Sequence, residues 1–332
     1  MNALYAAAFV FFLALLGAFA GSVPGGVEIV TVIVPYIAFA TLLVGVCYRV
    51  CLWALSPVPF RIPTTCGQQK SLPWIRTAPL DNPSSGAGAA VRVAFEVLAF
   101  RSLLRNSRPH IDDGGLAYSK TWILWFAAMA FHWSLLIVVL RHLRFVMEPA
   151  PFFVSILDSV DGLLQIGAPA LLLTDVMLVG ALGYLLLRRL RDPVMRYLSL
   201  FTDYFALLLL LAIAVSGAAM RYAARVDIVS IKQFALGLAT LHPVLPIAPN
   251  PVFLVHLLLV STLAIYIPFS KLMHFGGIFL SPTRNLANNS RAKLHVNPWN
   301  KPVPTHTYAE WEHEYEDKLK LAGIALDKAD HD

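Results

Sequence analysis

Residues 121–144 read TWILWFAAMAFHWSLLIVVLRHLR. From Trp122 to Leu140 no Asp, Glu, Lys or Arg interrupts the run, and Arg141 and Arg144 close it. A helix needs about 20 mostly apolar residues to cross a bilayer, because in lipid the backbone must satisfy its own hydrogen bonds. This stretch reads as a spanning helix, taken as 118–143. It carries two histidines, His132 and His142, ten residues apart. Ionisable side chains at membrane depth are costly and face the interior of a bundle rather than lipid.

Five further stretches meet the same test: 3–21, 29–55, 163–187, 199–221 and 250–273. The whole chain agrees, with 58% hydrophobic and 14% charged residues over 332 positions, where soluble domains carry about a quarter charged residues. The expected fold is an all-α integral membrane bundle of about six helices. It divides into two N-terminal spans (1–55), a loop with an interfacial helix near 88–106 (56–117), a four-helix domain (118–274) and a polar tail (275–332). No internal repeat is evident. No Lys or Arg precedes Arg49, so the first apolar segment lacks the basic start of a cleaved signal peptide and is expected to stay as the first span.

Charge placement orients the bundle. Of 26 Lys and Arg, only Arg141, Arg144, Arg221, Arg225 and Lys232 fall on one side of these spans, which leaves 21 on the other. The short loop with Arg188, Arg189, Arg191 and Arg196 belongs to the basic side. Positive residues stay in the cytoplasm, so both termini are expected there, with the protein multi-pass in the cytoplasmic membrane. Arg92, Arg101 and Arg105 of the loop helix are expected to snorkel from a partly buried position. The tail, with Trp299, Trp311 and mixed charges over 309–320, reads as a docking surface for a soluble subunit. Membrane lipid is the surrounding partner, and no nucleic acid is expected.

The three cysteines, Cys47, Cys51 and Cys66, form no C-x-x-C pair. That argues against a cysteine-bound iron–sulfur cluster, a zinc site or covalent haem. Cys47 and Cys51 read as small buried hydrophobes. The histidines are more informative. Six of the ten, at 110, 242, 295, 306, 313 and 331, lie in polar or loop segments, where a solvated or structural role is the default. The other four sit two by two on two spans: His132 and His142 on the third, His256 and His274 on the sixth. Two imidazoles on one haem iron leave no open position and suit electron transfer. The four are therefore expected to bind two haems b.

On a continuous helix His256 and His274 would share a face about 27 Å apart along the axis. His132 and His142 would be about 15 Å apart and about 80° around. Antiparallel spans then pair His142 with His256 and His132 with His274, but the unequal rises require tilted helices or diverging side chains. Arg141 and Arg144 are placed to pair with haem propionates, or are ordinary span-end arginines. Asp175, read as lying in mid-span, is a candidate for a proton path or a buried hydrogen bond. Asp158 and Asp161 read as capping or solvated residues.

The spacing His-x9-His and His-x17-His resembles that of the gamma subunit of respiratory nitrate reductase, over roughly 118–275. Three strings resemble the M subunit of the transmembrane complex linked to dissimilatory sulfite reductase: IPTTCGQQKSL at 62–72, FLSPTRN at 279–285 and HVNPWN at 295–300. The resemblance implies two haems b and exchange of electrons with menaquinone or a similar quinone. It further implies a cytoplasmic iron–sulfur partner related to heterodisulfide reductase. A periplasmic multihaem cytochrome c, a periplasmic iron–sulfur protein and a second quinone-interacting membrane subunit complete the implied complex, in sulfur metabolism. The expected function is electron transfer between quinone and a soluble partner, with substrate chemistry on that partner. The alternatives are a cytochrome b of a different respiratory complex, nitrate reductase gamma-like or heterodisulfide reductase-like, and a non-redox anchor or transporter. Transporters tend to show repeated halves and broken helices, which are not evident here.

Overall fold

The computed structural model describes residues 1–56, 74, 76–112, 114–162, 169–246, 249–281, 285–289 and 304–327. The strings at 62–72 and 295–300, positions 282–284, Cys66 and the expected start of a span at 163–168 lie outside the described residues. In chain order the helices and strands are α1 (Asn2–Phe19), α2 (Gly26–Leu55), α3 (Gly86–Ala99), α4 (Arg101–Leu104), β1 (Ser107–Asp112), β2 (Gly115–Lys120) and α5 (Trp122–Val146). They continue with α6 (Phe152–Asp161), α7 (Leu173–Arg191), α8 (Pro193–Leu198), α9 (Phe201–Tyr222), α10 (Ile228–Ala239), α11 (Pro251–Tyr266), α12 (His274–Leu280) and α13 (Tyr308–Leu321).

The chain is an all-α integral membrane protein, and among the described residues its strands form one small β-hairpin. Among the described residues five helices are long and apolar enough to cross a membrane: α1, α2, α5, α9 and α11. The expected fourth span is represented by α7, which packs between α5 and α9. Asp175 lies in its first turn and Arg188, Arg189 and Arg191 in its last. Large apolar side chains of α1 and α2 face outward, Phe11 and Phe39 each at 65% exposure, as lipid-facing residues do. Cys47 and Cys51 are also exposed, not buried as expected, because α2 lies at the rim of the bundle and packs with one side on α11.

Three apolar clusters hold the bundle. Ala6, Val10, Tyr204, Phe205, Leu209 and Leu259 join α1, α9 and α11. Ala20, Val30, Phe234, Phe253, Leu254 and Leu258 join α1, α2, α10 and α11. Ala130, Phe131, Leu178, Ala181, Leu182 and Leu210 join α5, α7 and α9. The main packing from α5 to α11 thus runs through α7 and α9.

The sixth span is not continuous, and this changes the histidine geometry. After Tyr266 the chain turns through two short 3-10 segments, Ile267–Phe269 and Lys271–Met273, before α12 begins at His274. Pro268 has no N–H to continue the helical ladder, and the Ser270 hydroxyl accepts from the Leu272 N–H at 3.2 Å to start a new turn. The break is tied to α9 by Lys271 to Asp203 at 2.9 Å and Tyr266 Oη to the Thr202 carbonyl at 3.2 Å. Gly45 of α2 makes room for it: a Cβ there would lie 2.5 Å from Pro268 Cβ.

The loop also departs from expectation. Its helix is divided at Phe100, and Arg92 and Glu96 are buried rather than snorkelling. Asp81 pairs with Arg101, and with Arg105 at 2.6 Å. The Arg101 guanidinium holds the Asp81 carboxyl below the usual carboxylate range. The chain after α12 folds back on this region through the Asn288 side-chain amide to Asn82 and the Asn288 N–H to the Pro83 carbonyl at 2.7 Å. The hairpin β1–β2, a register of Ser107 opposite Lys120 and Asp112 opposite Gly115, leads into α5. Arg108 fastens it to Asp192 at 2.6 Å.

Gly45→Val is expected to force Pro268 off α2 and lower stability by about 1–3 kcal/mol, read as a lower unfolding temperature in detergent. An unchanged unfolding temperature would show that the break does not depend on this contact.

Candidate functional site

His132 and His142 project from α5, His256 from α11 and His274 from the start of α12. The break at Pro268 brings the rings of His132 and His274 together. Their centroids are 6.0 Å apart and their planes stand at 85°. An imidazole–metal bond is about 2 Å, and each ring centre lies about 1 Å behind its nitrogen, so two imidazoles bound trans to one metal stand roughly 6 Å apart, centre to centre. The observed spacing fits that arrangement. At the other end of the bundle His142 is among the groups that act electrostatically on His256. Of the two expected pairs, the structure gives a ring contact for His132 with His274, the latter beyond the break in its span.

The hydrogen bonds say which nitrogen is free. His132 Nδ1 lies 2.8 Å from the Ala128 carbonyl, His142 Nδ1 2.7 Å from Val138 and His274 Nδ1 2.9 Å from Lys271. A carbonyl can only accept, so each Nδ1 carries a hydrogen, and in a neutral ring Nε2 then keeps its lone pair. His256 reaches the same state by relay. The Ser216 hydroxyl donates to the Ile213 carbonyl at 3.0 Å, so its oxygen accepts from His256 Nδ1 at 2.9 Å. A metal-bound histidine typically donates its other N–H in this way, which sets tautomer and ring orientation. Gly217 leaves the space: a Cβ there would sit 3.3 Å from His256 Cε1. Four imidazoles whose Nδ1 is taken by an acceptor, with no Nε2 hydrogen bond among the described residues, make a donor set that fits two bis-imidazole haems.

Sequence comparison gives the family. Residues 116–290 match the nitrate reductase gamma subunit family. The chain belongs to that family. It is also similar to a protein of Archaeoglobus fulgidus named Hdr-like menaquinol oxidoreductase cytochrome b-like subunit, 44% identical over 275 residues, which is 81% of this chain and 82% of that protein. A protein of the same name from Archaeoglobus profundus is 44% identical over 277 residues, 80% and 81% of the two chains. The match to the family covers α5 to α12, which hold all four histidines. The loop helices α3 and α4 lie before it.

The remaining predicted residues have other surroundings than the sequence suggested. Arg141 and Arg144 are occupied by carboxylates of α6. Arg141 Nη1 is 2.5 Å from Asp161 and its Nε 3.0 Å from Asp158. Arg144 Nη2 is 2.6 Å from Asp158. Asp161, read as capping or solvated, is 4% exposed and also accepts from the Thr174 N–H at 2.8 Å and hydroxyl at 2.5 Å. These guanidiniums are thus committed to the protein, though both still act electrostatically on His142. Asp175 lies in the first turn of α7, not in mid-span. It accepts from Tyr222 Oη at 2.8 Å, while Tyr222 Oη accepts from the Leu172 N–H at 3.0 Å. Asp175 also acts electrostatically on His142. The sequence reading missed Ser216, Gly217 and Tyr222, and gave Asp161 no ion pair. The pair Ser216-Gly217, small residues in the apolar run of α9, was a legible signal.

Asp161→Ala leaves Arg141 buried without its closest carboxylate. The expected cost is about 3–5 kcal/mol, read by thermal unfolding. Asp227→Ala, at the exposed start of α10, is expected to lose only a helix cap, about 1 kcal/mol.

Proposed function

We propose that this chain is the di-haem cytochrome b subunit of a menaquinol-oxidising complex. His132 and His274 would hold one haem b and His142 and His256 the other. The observation that carries the reading is the set of four Nδ1 hydrogen bonds, which leaves every Nε2 free, together with the 6.0 Å ring spacing. When bound, the two haems supply one-electron relays at two depths of the membrane. The name of the Archaeoglobus relatives, Hdr-like menaquinol oxidoreductase cytochrome b-like subunit, supports quinol as the donor.

The chain's own residues divide the work. The carbonyls of Ala128, Val138 and Lys271 and the Ser216 hydroxyl orient the imidazoles. Apolar α5, α7, α9 and α11 keep water away. Oxidation of a quinol releases two protons with its two electrons, and Asp175 with Tyr222 stands near His142 to receive a proton. The face that bears α3, α4 and β1–β2 is the basic one and is read as cytoplasmic, so that electrons pass inward. There α13 and the loop would receive a soluble iron–sulfur subunit related to heterodisulfide reductase. Tyr308, Trp311 and Tyr315 form a row of ring contacts on α13, with centroids 5.7 and 5.9 Å apart. The resemblance of 62–72, 279–285 and 295–300 to the sulfite reductase-linked M subunit supports a role in sulfur metabolism. It also supports assembly with a periplasmic multihaem cytochrome c, a periplasmic iron–sulfur protein and a second quinone-interacting membrane subunit. Purification of the native complex and identification of its subunits tests this assembly.

A transporter built on broken helices would also contain an interrupted span. Here the interruption directs an imidazole at a second imidazole, which favours the redox reading.

The pyridine haemochrome assay is expected to give about two haems b per chain, and about one after His132→Ala or His256→Ala. A parent chain without haem would contradict the proposal. Asp175→Asn is expected to keep both haems and slow quinol oxidation by about 100-fold. An unchanged rate would remove Asp175 from the proton path.

A further inference from the structure

Between α3 and α4 the chain passes through Phe100 at φ 46° and ψ 47°. Left-handed backbone is unfavourable for an L residue with a bulky side chain, and helix ends of this kind usually take glycine. The conformation is held from several directions. The Leu98 and Ala99 carbonyls accept from the indole N–H groups of Trp133 at 3.2 Å and Trp125 at 2.8 Å, both on α5. Glu96 accepts from the Ser102 N–H at 3.1 Å and hydroxyl at 2.5 Å, across the break. Asp81 holds Arg101 and Arg105 on the far side. Strained backbone of this sort persists only where its surroundings over-determine it, and it gathers at functional sites.

What the strain achieves is visible at His132. The Phe100 ring meets that imidazole edge-on, with centroids 4.9 Å apart and planes at 84°. Phe131 closes another side at 4.6 Å. With His132 held between these two rings and by the Ala128 carbonyl, its plane stands at 85° to that of His274.

We propose that Phe100 is a positioning residue for the His132–His274 pair: the loop helices hold it in left-handed backbone so that its ring fixes the His132 imidazole plane and shuts water out from that side. The inference rests on the reading that these histidines hold a haem. Phe100 lies before residue 116, outside the region matched to the family. Apolar closure around a haem ligand is a lever on its potential. Between neutral imidazoles the oxidised centre carries one more positive charge than the reduced one, so admitted water favours oxidation.

The test uses the full chain with its haems, in lipid nanodiscs, for Phe100→Ala, Phe100→Gly and Trp125→Phe. Potentiometric titration is expected to show one of two midpoint potentials moved downward in the Ala and Gly variants, with the other unchanged. The ferric low-spin EPR signal of the moved haem is expected to change its g anisotropy, which follows the angle between the imidazole planes. Phe100→Gly, which relieves the strained backbone but also lacks the ring, is expected to unfold at a higher temperature than Phe100→Ala with the same haem shift. Trp125→Phe keeps the ring but cuts a tie, and is expected to move the same haem by less. Potentials and EPR signals equal to the parent in both ring-less variants would overturn the proposal, and so would equal shifts of both haems. Absence of haem from the parent would instead overturn the ligand reading on which it stands.

Discussion

A neutral imidazole has one N–H to place, and in an apolar bundle the place it is given decides what its other nitrogen can do. The hydrogen bonds to the four histidines serve that constraint. On α5 the helix's own carbonyls, at Ala128 and Val138, take the Nδ1 hydrogens of His132 and His142. On α11 the corresponding role passes to a neighbour, since Ser216 of α9 takes the hydrogen of His256 and hands its own to Ile213. His274 uses Lys271, which is possible because the helix has stopped and restarted between them. An unpaired N–H at any of these positions would cost about 1–3 kcal/mol, and a reversed tautomer would turn the metal-binding nitrogen into a donor.

The two ends of the bundle are built differently around this common chemistry. Near His142 the surroundings are charged. Arg141 and Arg144 are neutralised by Asp158 and Asp161, and Asp175 is hydrogen-bonded by Tyr222. Buried ion pairs contribute little net stability because desolvation offsets the attraction, but removing one partner is expensive. The network therefore fixes α6 over this end. Near His132 the surroundings are aromatic: Phe100, Phe131, and the two indoles that hold the loop.

Much of the bundle was legible in the residues. Apolar runs of spanning length placed α1, α2, α5, α9 and α11, since the backbone has no alternative to a helix in lipid. Paired histidines on antiparallel spans indicated which would meet. What hydropathy cannot carry is direction within a span. Pro268 sits inside an apolar run and reads as part of it, so His274 was expected about 27 Å from His256 on a straight helix. The structure instead breaks that span at Pro268, against Gly45, so the straight-helix spacing does not apply. Arg141 and Arg144 were read either toward haem propionates or as ordinary span-end arginines, and their pairs with Asp158 and Asp161 become visible only once α6 is folded against α5. Asp175 moved from mid-span to a first turn for a related reason: α7 begins at Leu173, ten residues after the expected start. Phe100 carried no signal at all, because a left-handed aromatic residue is contrary to local preference and is imposed from outside.

The central claim is that four Nε2 atoms, freed by four Nδ1 hydrogen bonds, grip two irons between α5 and the broken sixth span. A cryo-electron microscopy map of the purified protein in nanodiscs, resolved well enough to place side chains, tests it most directly. It should show one porphyrin between His132 and His274 and another between His142 and His256, with Pro268 at the kink. A map with no porphyrin there, or with iron held by other side chains, would contradict the account.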